Sequence, residues 1–231
     1  MVANIPSLPN EIKLLIFAEL LDACSVRSLA LVSRDYYHCM RSDERNIVCR
    51  ALKRDVLALR EAIAVSTARK VSPHEWSAQE VETFLLVDKH TDAFLSECNL
   101  SKAFELTRLN ILVVGIAKRM SSKFLRCAAD RLLKAAAVEP GPSRTEKIHM
   151  ERSLYLIELF GIFFHRLDVP QQQGRYARLE KGSDQAFWDL FTQQFKDQVL
   201  LAYRFLWLEL TPGRCLVPRY IDRMQLLTAH F

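Results

Sequence analysis

Apolar residues recur along this chain at helical spacing almost from end to end, and strand-like alternation never lasts more than a few residues. The pattern predicts an all-α protein with helices over roughly 9–21, 25–33, 43–69, 78–96, 101–118, 120–137, 144–167, 184–210 and 219–229. Start signals are legible. Ser72-Pro73-His74-Glu75, Ser77 to Glu80 and Ser143 to Glu146 each place a glutamate three residues after a serine. In such a box the serine hydroxyl accepts from an otherwise unpaired amide, and the glutamate reaches back to the cap amide. Residues 138–143 (VEPGPS) form a firm break, and 168–183 (DVPQQQGRYARLEKGS) read as a polar loop. No repeat period emerges.

The first helix, within SLPNEIKLLIFAELL at 7–21, is the most telling. Pro9 suits a first turn, where its missing amide hydrogen would go unpaired anyway. Glu11 favours the positive helix end. At about 100° per residue, Ile12, Leu15, Ile16 and Leu20 form one apolar arc. Leu14, Phe17, Ala18 and Leu21 carry it round the far side, while Glu11, Glu19 and Asp22 share the one polar strip. That arc is wider than the stripe a surface helix turns toward one core. Either the helix is central in its domain or another protein covers one side. Little sequence precedes it to supply the cover, which points to a partner.

Composition narrows the classes. The chain has 231 residues, half of them hydrophobic, enough for a core that needs no disulfide staples. The six cysteines form no C-x-x-C pair and read as free thiols in a reducing compartment, cytoplasmic or nuclear. The six glycines are too few for a turn-rich β fold, and no phosphate loop is present. A net charge of +5 with interleaved signs gives no reason to expect nucleic acid. The apolar runs at 109–117 and 154–164 are too short for a membrane span, and no secretory leader is visible.

After the first helix come Ser25, Leu29, Leu31, Val32, Ser33 and Arg34, then Tyr36 and Tyr37. Ser42-Asp43-Glu44 opens a further helix. Leu8-Pro9-x-Glu11-Ile12, Ile16-Phe17, Leu20 and Leu29-x-Leu31-Val32-Ser33-Arg34, with an aromatic soon after, resemble the F-box in order and spacing across 5–50. The resemblance implies a three-helix module that docks on the Skp adaptor of an SCF-type, cullin-based ubiquitin ligase. It implies that Leu8, Pro9, Ile12, Ile16, Leu20 and Val32 contact the adaptor or shape its surface. Many F-boxes carry a tryptophan near the start of the third helix. Here the stretch is Arg45-Asn46-Ile47-Val48-Cys49, with Ile47 or Val48 in that place.

Residues 51–231 read as a helical domain that holds an unidentified protein target. Thr145 to Phe160, with Glu146, Arg152 and Leu154-Tyr155, and then Phe187-Trp188 through Trp207, resemble segments that follow the F-box in filamentous-fungal F-box proteins. The aromatics of 155–164 and 187–207 lie at helical spacing and read as core. Lys118, Arg119, Lys123, Arg126, Arg131 and Lys134 gather around one helix and read as a solvated face, with an acidic or phosphorylated target as the rival reading. No histidine stands at a zinc spacing, and no nucleophile motif appears. The expectation is a non-catalytic adaptor with no cofactor. Its rivals are a helical scaffold whose first helices merely look like an F-box, and an F-box protein working outside a ligase.

Overall fold

A computed structural model describes residues 8–71, 76–86, 89–132, 142–164 and 187–210, without the side chains at 78, 86, 89, 123–132, 164 and 207–210. Among these residues no strand occurs, and the fold is all-α. The helices are α1 (Asn10–Glu19), α2 (Ala23–Ala30), α3 (Arg34–Ser42), α4 (Glu44–Asp55), α5 (Leu59–Lys70), α6 (Ala78–Leu86), α7 (Lys89–Ser96), α8 (Leu100–Leu132), α9 (Arg144–Phe164) and α10 (Gln193–Leu210). The helix expected over 219–229 and the loop expected over 168–183 lie outside the described residues.

Two compact units divide the chain. The first joins residues 1–71 to 87–118, and the second joins 72–86 to 119–231. The expected boundary at residue 50 falls inside α4, so the segment 5–50 shares a unit with α5, α7 and the start of α8.

In the first unit, short side chains cap α2 and α3. Asp22 caps α2, its two carboxylate oxygens accepting from the Ser25 amide and hydroxyl, each at 2.7 Å. Ser33 caps α3 by accepting from the Tyr36 amide at 3.3 Å. Helix α3 was not expected from the sequence, which placed only an aromatic exit there. Its signal was present: Tyr36, Cys39 and Met40, spaced three and four apart, are its buried face. The expected helix over 43–69 is in fact two, broken at Val56, where the backbone turns extended (φ −102°, ψ 100°). Two side chains of α8 receive Asp55 at the end of α4. Asn110 Nδ2 donates to the Asp55 carbonyl at 3.3 Å, and the Thr107 hydroxyl donates to the Asp55 carboxylate at 3.4 Å. Burial, with Asp22 nearby, pushes the Asp55 carboxyl above its usual range despite that hydroxyl.

Helices α1 and α2 each pack against α3 and α4, while α7 packs against α4 and α5. Phe17, Val26, Tyr36, Met40, Val48, Leu52, Ile63 and Leu106 fill this core. Cys49 and Cys98 lie close together in it. The Cys49 thiol reaches the Leu95 carbonyl at 3.6 Å, and burial, with Cys49 beside it, pushes the Cys98 thiol up to about 12. Cys24, Cys39, Cys49 and Cys98 are all free thiols.

Helix α8 runs unbroken through residue 119, where two helices were expected, because neither glycine nor proline stands there to stop it. In the second unit, both capping boxes form as read. Glu80 accepts from the Ser77 amide at 2.8 Å, Glu146 accepts from the Ser143 amide at 2.7 Å, and each serine hydroxyl accepts in return at 3.2 Å. The box at 72–75 lies outside the described residues. Helices α9 and α10 pack together. Trp76, Phe84 and Phe163 meet edge-on with ring centroids 4.8–5.5 Å apart, and Phe160, Phe187 and Trp188 form a second cluster at 4.9–5.5 Å. Tyr155, Phe160, Phe163, Phe187, Trp188 and Phe205 are buried, so these aromatics are core.

Candidate partner-binding face

The orientation of α1 follows from two residues on its inner side. Phe17 is fully buried and meets the edge of Tyr36 at 6.0 Å between ring centroids. Lys13 is only 4% exposed. Its stem lies in the core, its ammonium stands 5.6 Å over the Tyr36 ring, and it reaches Asp35 at 4.0 Å. The aliphatic stem and the ring face let a lysine occupy an inward position. The exposed Asp35 adds little beyond that.

Both ends of α1 are tied down. The Pro9 carbonyl accepts from the Ile12 and Lys13 amides at 3.1 Å, so Pro9 is the cap and not a first-turn residue. The Cys39 thiol donates to the Asn10 carbonyl at 3.6 Å, and Arg54 donates to the Ala18 carbonyl at 2.7 Å. The helix ends at Glu19, so Asp22 leaves the expected polar strip and caps α2 instead.

With Lys13 and Phe17 inward, apolar residues are left outward. Ile12 is 41% exposed and Leu15 62%. Of the residues assigned to the adaptor surface, Pro9, Ile12 and Val32 are exposed, while Leu8, Ile16 and Leu20 are half-buried. Ile12 and Ile16 lie four residues apart on α1, and Leu20 is the residue that caps its C-terminal end. Val32 belongs to a different element, the turn between α2 and α3, where it is 62% exposed. The sequence-based list omitted Leu15, Leu21, Leu31 and Tyr37, all exposed. Leu15 was already in the apolar arc. Leu31 adjoins Val32, and its exposure follows from α2 ending at Ala30. Ile47 and Val48, which stand where many F-boxes carry a tryptophan, are both buried in α4.

Such a face binds by removing apolar area from water, at about 25 cal/mol per Å². Of the basic residues around α8, Lys118 and Arg119 are exposed. The side chains of Lys123, Arg126 and Arg131, and all of Lys134, lie outside the described residues. No protein-family model matches the chain, and searches of curated proteins and of solved structures give no match.

Proposed function

We propose that this protein is a substrate-receptor subunit of an SCF-type ubiquitin ligase, with the outer side of α1 and the α2–α3 turn holding the Skp adaptor. The observation that carries the reading is the exposure of Ile12, Leu15, Leu31 and Val32 within a stretch whose residue order resembles an F-box. A helix serving only as core would bury Ile12 and Leu15. Solvated helix faces ordinarily carry polar residues there. In this reading the cullin core is reached through the adaptor, and the remaining helices hold a protein target. Ubiquitin transfer is then favoured by proximity, because holding the target near the transferring enzyme removes an entropic cost.

The test is a double variant, Pro9→Ala with Ile12→Asp. Both side chains are exposed, so the fold is expected to survive, as judged by circular dichroism. Adaptor pulldown is expected to be lost, because a carboxylate then sits where apolar area should close. Unchanged capture of the adaptor by this folded variant overturns the proposal.

A further inference from the structure

Helix α8 has an outer face that its own packing does not explain. Its inner face in the first unit is Ala103, Leu106, Asn110, Val113 and Ala117, all buried. On the opposite side lie Arg108, Ile111, Leu112, Gly115 and Lys118, at the three-, four- and seven-residue spacings that share a helix face. Ile111 is 58% exposed and Leu112 66%. A Cβ added at Gly115 meets nothing within 4 Å, so no neighbour demands a glycine there. A glycine inside a helix costs stability relative to alanine, and an exposed aliphatic pair gains nothing from water. What both suit is another backbone brought close to this one.

We propose that this strip is the seat for an acidic amphipathic helix of a partner protein. The partner's apolar side chains would lie on Ile111 and Leu112, and its backbone would approach at Gly115. Its carboxylates would meet Arg108 and Lys118, which are exposed at the two ends and about 15 Å apart along the helix axis. Charge selects this occupant over a second copy of the chain. In an antiparallel pair centred between Ile111 and Gly115, Arg108 faces the copy's Lys118. In a parallel pair each cation faces itself. Both arrangements oppose like charges. The inference does not depend on what α1 binds.

The experiment uses the full chain and two labelled synthetic helical peptides with the same leucine–alanine seam. One carries glutamates at both flanks at the matching separation, and the other carries lysines. By fluorescence anisotropy the glutamate peptide is expected to bind roughly tenfold more tightly. Arg108→Glu with Lys118→Glu should reverse that preference. Gly115→Leu should abolish glutamate-peptide binding by filling the approach, with thermal melting unchanged or raised because the site has room and leucine favours the helix. The proposal is overturned if the two peptides bind alike or not at all, or if Gly115→Leu leaves binding intact. It is equally overturned by a concentration-dependent dimer that Ile111→Ser with Leu112→Ser dissolves.

Discussion

Helices α1 and α9 are both apolar over much of their circumference, yet they resolve that surplus in opposite ways. In α9, Leu154, Tyr155, Leu156, Leu159, Phe160 and Phe163 are all buried, with α10 packed alongside and aromatic clusters built on Phe160 and Phe163. In α1 the buried pair is Lys13 and Phe17, while Ile12 and Leu15 are exposed. The difference teaches that an apolar wheel does not choose its own inner face. The neighbouring helices choose it, and α3 offers Tyr36, whose ring face receives the Lys13 ammonium.

The sharpest way to break this contrast lies within α1 itself. Phe17→Ala should destabilise the protein by about 3–5 kcal/mol, while Leu15→Ala, two residues earlier, should stay within about 0.5 kcal/mol. Urea midpoints measure both, and equal losses would mean that α1 is rotated from the orientation described. A second effect appears at alkaline pH. An ordinary thiol titrates near 9.0, while Cys98 is held up to about 12. The unfolded chain therefore gives up this proton first, so stability fully present below pH 9 is lost as pH rises toward 12. The melting temperature of the wild type should fall more steeply over that window than that of Cys98→Ala. Parallel curves would show that the thiol is not buried beside Cys49. The smallest effect tests whether the two units differ in their helix ends as well. Asp22→Ala should cost about 1 kcal/mol in thermal unfolding, and Ser143→Ala in the other unit should show a comparable loss. A large difference between them would place the contrast in capping and not in side-chain burial.

Much of this architecture was legible because local chemistry writes it. The capping boxes at Ser77 and Ser143 and the aromatic core of the second unit need only near neighbours or a helical period. Asp22 was misread as part of a polar strip because a cap and a first-helix residue look alike until the helix end is known. The break at Val56 was not legible, since the groups that receive Asp55 at the end of α4 sit far along the chain on α8, at Thr107 and Asn110. The outward face of α1 was half legible. The width of its apolar arc foretold surplus, but which residues stay outside depended on Tyr36 receiving Lys13. The burial of Ile47 and Val48 follows the same rule: helix packing in the first unit decides what is exposed.

The joint at Asp55 bears on the order in which the chain is made. Asn110 and Asp55 stand 55 positions apart, and the Leu100 amide donates to Glu44 across 56. A polypeptide leaving the ribosome from its N-terminus presents α1 through α4 well before either clasp can close. Until α8 emerges, the carbonyl at the end of α4 lacks its Asn110 partner and answers to water. A nascent-chain series arrested at successive lengths should therefore gain protease resistance across residues 8–55 only once residue 110 has cleared the exit tunnel.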